Sequence, residues 1–328
     1  MDALSDVLRL VGLGGGVFLD AEFTAPWAVS GQVSAESCRP FMAPPERVVG
    51  FHYVAEGEFT VTLNDGGSWK VHAGEVVLLP HNDLHVFASS GDVAPVGVTD
   101  LVRIDGPSGV ARIVHGGGGV RTRMVCGFLG GNAQLHPLLV NLPPVITLDL
   151  AGLPSGDWMA RTFDYATRTF AEDHGGAAAV IAKASELMFV EVVRRHLDGL
   201  APEETGWLAG LRDPAVGRAL ALVHARVSED WTTDALARDA NLSRSAFADR
   251  FTRLIGVPPM RYLLKWRMQV AMQKLRETRL PIAQIAFDVG YDSEAAFTRA
   301  FRRETGQPPA AWRARTPSPQ TERLAPGG

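Results

Sequence analysis

Residues 241–262, NLSRSAFADRFTRLIGVPPMRY, return fifty positions later as residues 291–312, YDSEAAFTRAFRRETGQPPAAW. At that offset Ser243 aligns with Ser293, Ala246 with Ala296, Phe247 with Phe297, Phe251 with Phe301, Arg253 with Arg303, Gly256 with Gly306, Pro258-Pro259 with Pro308-Pro309 and Tyr262 with Trp312. Two copies are too few to stack into a solenoid, so the repeat reads as one supersecondary unit used twice. A helix-forming run, Thr233 to Ala240, leads into Asn241-Leu242. Ser243 follows, and its hydroxyl can accept from the free N–H groups that open a second helix. Phe247, Phe251 and Leu254 fall on one face of that helix, a helical period and not a strand period. Gly256, ahead of Pro258, stops it. In the second copy Pro281 suits a first helical turn. Ile282, Ile285, Ala286 and Val289 are its apolar positions, Gly290-Tyr291-Asp292 is the turn, and Ser293 caps the next helix.

Helix, tight turn, helix is the plan by which a second helix is propped in a DNA major groove. One copy alone reads equally well as a helical hairpin in an all-α core; duplication and charge favour the first reading. From Arg212 onward there are 19 Lys+Arg against 12 Asp+Glu, a balance of +7, whereas residues 1–211 hold 13 against 24, a balance of -11. A basic segment beside an acidic one suits a phosphate-binding module attached to a domain with another task. Between the copies, Met260 to Thr278 has neither Gly nor Pro. As one helix of about 19 residues it spans roughly 28 Å, close to the ~34 Å of one DNA turn.

These residues resemble the DNA-binding domain of the AraC/XylS family of bacterial transcription regulators, over roughly residues 213–315. LARDANLSRSAFADRFTRLIGVPPMRYL carries the likeness in the first unit and IAFDVGYDSEAAFTRAFRRETGQPPAAWR in the second. Ile285, Ala286, Gly290, Tyr291, Phe297, Phe301, Arg302, Arg303, Gly306 and Pro308 match the family pattern, with Gln307 where a Ser often stands. The four Phe of the second helices, Phe247, Phe251, Phe297 and Phe301, are expected inside. Ser245, Asp249, Thr298 and Arg299 match positions that reach base edges, Arg299 being able to grip a guanine with two bonds. Arg244, Arg250, Arg253, Arg302 and Arg303 are expected on phosphates. Ser293 and Glu294 complete the expected DNA-facing set. The resemblance implies a homodimer on operator DNA that works with RNA polymerase.

A chain of 328 residues has room for two domains. No apolar run approaches the ~18 residues that span a membrane, and no basic segment precedes an apolar core at the start, so no signal peptide is expected. Two separated cysteines, Cys38 and Cys126, give no disulfide framework and fit a reducing cytoplasm. Residues from about 11 to 150 read as short strands. Phe59 to Leu63 alternates apolar with polar, Val76 to Leu79 is an apolar run, and Gly66-Gly67, Gly74 and Pro80 interrupt them. Close-set strands of this kind argue for a jelly-roll sandwich or barrel.

HYVAEGEFTVTL and HAGEVVLLPHNDLH are similar to the two motifs of a cupin barrel, with His52, Glu58 and His85 kept and Val54 where a second His belongs. Three N/O ligands can hold iron, zinc or manganese. A metal-dependent cupin enzyme with a helical appendage is therefore the alternative, although sensor cupins of the AraC type usually carry such remnants without using them catalytically, and no cofactor is expected. VHGGGGVRTRMVCGFLGGNAQLHPLLVNLP resembles a subgroup of AraC-type regulators, one kind of which senses reactive chlorine through cysteines. By that likeness Cys126 is a candidate redox switch, if Arg121, Arg123 or His136 stabilises its thiolate; a buried inert Cys is the plainer reading. Gly116 to Gly119 lacks a following Lys-Ser/Thr, so it is read as a flexible loop and not a phosphate cradle. Residues 157–171 and 177–197 read as helices for packing or dimerisation, 198–210 as a linker, and the tail from Thr316 as too polar to fold.

The expectation is an α+β multidomain chain: a cupin-like jelly roll over residues 1–150, a helical dimerisation and linker region over 151–211, an all-α double helix-turn-helix domain over 212–315 and a disordered tail over 316–328. Its expected function is a cytoplasmic, non-enzymatic DNA-binding regulator, an activator of transcription, controlled by a small molecule or oxidant.

Overall fold

The computed structural model describes residues 4–5, 7–8 and 13–315, apart from 39–41, 43, 91–92, 106–109, 132–136, 152, 154–155, 172–176 and 202–205. The expected tail and His136 lie outside the described residues. Two compact units result, one of residues 11–134 with 139–200, the other of residues 201–328 with 1–10 and 135–138.

The first unit contains β1 (Gly14–Thr24), β2 (Ala28–Gly31), β3 (Arg47–Glu56), β4 (Glu58–Leu63), β5 (Ser68–His72), β6 (Glu75–Leu79), β7 (His85–Ala88), β8 (Val96–Gly97), β9 (Arg103–Asp105), β10 (Val110–Gly116), β11 (Arg121–Gly131) and β12 (Ile146–Asp149). They pair into a seven-stranded sheet in the order β12-β6-β3-β11-β1-β10-β9 and a five-stranded sheet in the order β5-β4-β7-β2-β8. The jelly roll is thus two sheets over one core and not a single closed cylinder. Phe23, Val77 and Met124 from the larger sheet and Phe59, Val61 and Phe87 from the smaller one join Trp27 in that core. Alternation along β4 buries Phe59, Val61 and Leu63 and turns Glu58, Thr60 and Thr62 outward, as a period of two requires.

Two helices follow, α1 (Gly156–Ala171) and α2 (Ala177–Asp198). They cover the other face of the larger sheet, α2 against β1 and β11. Phe163 of α1 stacks on Tyr53 of β3 at 4.6 Å between ring centroids and 7° between planes. Odd positions of β3 therefore meet the helices and even positions, His52 and Val54, face the core. The glycine run, expected as a flexible loop, is a bend that hydrogen-bonds to the end of β1 and the residue after it. Gly117 N–H donates to Thr24 O at 2.7 Å and Gly119 N–H to Ala25 O at 2.8 Å. At Gly116, φ is +138°, and a Cβ would sit 1.9 Å from Thr24 O, so only glycine fits.

The second unit is helical: α3 (Trp207–Arg212), α4 (Pro214–Ala225), α5 (Thr233–Asp239), α6 (Arg244–Ile255), α7 (Pro259–Glu277), α8 (Ile282–Asp288), α9 (Glu294–Thr305) and α10 (Pro309–Arg315). The sequence-based linker reading ran through Gly210, but α3 begins within it, at Trp207. α7 starts and ends one residue earlier than expected, and its 19 residues make a rod of about 28 Å. Its first half packs with α6, Tyr262 lying 5.8 Å from Phe251. Its second half, through Met268, Ala271, Met272 and Leu275, shares a core with Ile285, Val289, Phe297 and Phe301.

Candidate nucleic-acid interface and amino-terminal cavity

The two repeated helices are built alike. Ser243 and Ser293 are extended N-caps whose hydroxyls accept from Ala246 N and Ala296 N, each at 3.3 Å. Gly256 and Gly306 close α6 and α9 in the left-handed region at φ 79° and 80°. Caps of this kind contribute about 1 kcal/mol each. Phe247, Phe251, Phe297 and Phe301 are fully buried, which leaves the polar faces outward. Arg244, Ser245, Asp249 and Arg253 are exposed on α6, and Glu294, Arg299, Arg302 and Arg303 on α9, with Thr298 half-buried. The turns differ where a fixed offset hides it. The left-handed residues are Asn241 at φ 55° and Gly290 at φ 83°, so the second turn has one more residue before its cap. Pro281 is itself the N-cap of α8 and not its first helical residue.

Arg250 departs from the expected phosphate contact. Its Nε donates to Asp213 Oδ2 at 2.8 Å and its Nη2 lies 2.6 Å from the same oxygen. Asp213 also caps α4, accepting from Ala215 N and Val216 N, so the arginine ties α6 to α4. Arg267, one of the charged positions of α7, is half-buried. Its Nε donates to Val227 O at 3.0 Å, its Nη2 to Glu229 O at 2.8 Å, and its guanidinium lies 5.8 Å from the centre of the Tyr291 ring. One side chain so joins the segment after α4 to the turn of the second helix pair. The signal was available: Leu263, Arg267, Ala271 and Leu275 follow each other at helical spacing, and the other three are buried.

In the first unit the cupin triad does not assemble. Glu58 faces solvent, its carboxylate 2.9 Å from Lys70 Nζ and 3.1 Å from His72 Nδ1. Lys70, with His72, holds its carboxyl below the usual carboxylate range. The alternation that buries Phe59 forces this orientation. His52 and His85 do face each other, with ring centroids 6.0 Å apart, and both rings pack on Phe87. Among the described residues no three His, Cys, Asp or Glu side chains gather as a metal site. The donor set does not fit the metal that the cupin fold implies.

His52 and His85 line a cavity of about 260 Å³ between the sheets, together with Leu19, Ile113, Met124 and Cys126. Cys126 pairs across the strands with His52. Burial, with Asp20 nearby, pushes its thiol well above the ordinary range. Arg121 and Arg123 sit on the opposite face of β11, engaged with Glu22, Glu56 and Asp20, so neither reaches the sulfur. Cys38 is also buried, its thiol pushed up to about 11.

Burial holds the imidazolium of His52 well below its ordinary pKa, helped by His85, and that of His85 below it as well, against the opposing Asp83 carbonyl. A lowered folded-state pKa means that the unfolded chain binds more protons below pH ~6.5. The stability contributed by two neutral imidazoles is complete above pH ~6.5 and declines as pH falls towards 5. Hydrogen exchange of β3 and β7 amides at pH 7.5 and 5.0 should show that loss, and His52→Phe should reduce it. Equal protection at the two pH values would contradict it.

Among the described residues no helix is long and apolar enough to cross a membrane. Residues 2–198 match the family described as Cupin, and residues 236–315 the family described as Helix-turn-helix domain. An AraC-like transcription regulator of Streptomyces lividans is 32% identical over 95% of this chain and 98% of its own. One of Streptomyces antibioticus is 30% identical, again over 95% and 98%. The RCS-specific HTH-type transcriptional activator RclR of Escherichia coli K12 is 27% identical over 96% and 98%. A capped and duplicated helix-turn-helix unit, a cupin sandwich and relatives aligned from end to end place the chain in the family of AraC-like transcription regulators.

Proposed function

We propose that the chain is a cytoplasmic, non-enzymatic regulator whose α6 and α9 enter successive major-groove segments of an operator. In this reading residues 1–150 form the sensing jelly roll, 151–211 the helical dimerisation and linker region and 212–315 the DNA reader, and a homodimer presents two such readers to RNA polymerase. The observation that carries it is the pair of equivalently capped, Phe-anchored helices with outward polar faces, joined by the single helix α7. Ser245, Asp249, Glu294, Thr298 and Arg299 are assigned to bases, and Arg244, Arg253, Arg302 and Arg303 to phosphates. Ser293 is assigned to its cap and to the adjacent backbone. Arg250 is assigned to Asp213 instead, because its guanidinium is already engaged.

The controlling signal is assigned to a small molecule in the 260 Å³ cavity. The oxidant reading, which the name of RclR invites, is disfavoured because a redox-sensing cysteine needs a stabilised thiolate and burial acts against one at Cys126. The metalloenzyme alternative is disfavoured by the outward Glu58.

Genome-wide footprinting of the full chain identifies the operator. Against it, Arg299→Ala should relax preference at one base pair by about 1–3 kcal/mol. Arg302→Ala should weaken all sites evenly and lower the salt slope by roughly one. Unchanged operator preference in Arg299→Ala would remove the base assignment.

A further inference from the structure

His85 is nine-tenths buried, 6% exposed, and its Nδ1 lies 2.9 Å from the carbonyl oxygen of Asp83. A carbonyl can only accept, so Nδ1 carries the proton and Nε2 of the neutral ring is left as an acceptor. No hydrogen bond to Nε2 is formed among the described residues, and Gly31 keeps it open. A Cβ at residue 31 would come within 3.3 Å of Nε2 and 3.4 Å of Val98 Cγ1. Across the same cavity, buried His52 Nδ1 has no partner in the described structure. His85 Nε2 is thus an open acceptor in a cavity walled mainly by apolar side chains such as Leu19, Ile113 and Met124, with Gln32, Asn82 and Thr99 among its polar ones.

The lining also says what cannot bind. It contains no Lys, Arg, Asp or Glu, so a carboxylate or phosphate would lose its water and gain no counter-charge. A sugar would bring more hydroxyls than the few polar groups of the lining can satisfy. The volume of about 260 Å³ exceeds the ~150 Å³ that accommodates benzene.

We propose that the cavity binds a neutral, mainly apolar hydroxyl compound, a phenol or an alcohol of about ten heavy atoms, whose O–H donates to His85 Nε2. The proposal rests on the reading of this unit as the sensor only for its consequence, the change in operator binding. The binding itself is tested separately.

The full chain is titrated calorimetrically with 4-ethylphenol, ethylbenzene and 4-ethylbenzoate at pH 7.5. The phenol should bind roughly three- to tenfold more tightly than the hydrocarbon, the range of one neutral hydrogen bond, and the benzoate should not bind. His85→Phe keeps a ring and removes the acceptor, and should bring the phenol down to the affinity of ethylbenzene. Because that variant also leaves Asp83 O without its donor, Gly31→Ala provides a second route: a single methyl placed over Nε2, at a position whose backbone any residue can adopt, should erase the same preference. Equal binding of phenol and hydrocarbon by the unaltered chain, tighter binding of the benzoate, no binding of any probe, or a preference that survives Gly31→Ala in folded protein would each overturn the proposal. Operator affinity measured with and without 4-ethylphenol then separates the two readings. Selective binding that leaves operator affinity unchanged upholds the hydroxyl site and removes the sensing role.

Discussion

Phe297→Ala should unfold the second helix-turn-helix unit and abolish operator binding by the full chain. Phe297 is fully buried, 5.6 Å from the Tyr291 ring and 5.5 Å from that of Phe301. It packs in the cluster that joins α8 and α9 to the second half of α7. Removing a ring from such a site costs about 3–5 kcal/mol, transfer and cavity together. Whole domains hold only about 5–15 kcal/mol, and this core serves half of one. Phe247→Ala should do the same to the first unit, where Phe251 and Tyr262 continue the aromatic row. Thr298→Ala, one residue on and half-buried, should leave stability within about 0.5 kcal/mol. Urea unfolding alongside operator titration checks all three. A loss below about 1 kcal/mol at Phe297 would show that the second unit is anchored elsewhere.

Gly290→Ala should cost about 2–5 kcal/mol, and Gly256→Ala distinctly less. Both glycines are left-handed, at φ +83° and +79°, and an L side chain there costs about 1–2 kcal/mol. At Gly256 an added Cβ meets nothing within 4 Å. At Gly290 it would lie 2.5 Å from Arg267 Nη2 and 2.8 Å from Ser228 O, and overpacking of that kind adds about 1–3 kcal/mol. The guanidinium cannot yield freely because it holds the carbonyls of Val227 and Glu229. Denaturant midpoints of the two variants give the difference directly. Equal losses would mean that Arg267 moves aside without cost, and that it does not fix the segment after α4 against the turn of the second helix pair.

Much of the carboxyl-terminal unit was legible because its determinants are local. A serine before a helix satisfies N–H groups three residues away, and a glycine after it supplies a conformation that other residues resist. Ser243, Ser293, Gly256 and Gly306 therefore marked α6 and α9 by chemistry that does not depend on the rest of the chain. The apolar period likewise buried the four phenylalanines. The partners of Arg267 and Arg250 were not legible for the opposite reason. Each is satisfied by a group 37 or more residues away, and a charge in a helix looks the same in sequence whether water or a carbonyl receives it. The extra residue in the second turn escaped because aligning at one offset assumes equal loops.

In the amino-terminal unit the strands were readable and the site was not. The motif likeness joined His52, Glu58 and His85 along the chain, but strand alternation sends Glu58 to solvent and a separate strand brings His85 to His52. The same parity parts Cys126 from Arg121 and Arg123.

The sequence by itself determined a doubled, capped helix pair, an alternating β region and the division of charge between them, since caps, periods and composition act over a few residues. Only the tertiary structure decided which polar groups meet. Ion pairs, open acceptors and cavities belong to strands and helices that are distant in the chain, and their positions are set by how whole faces bury apolar surface and not by any local pattern.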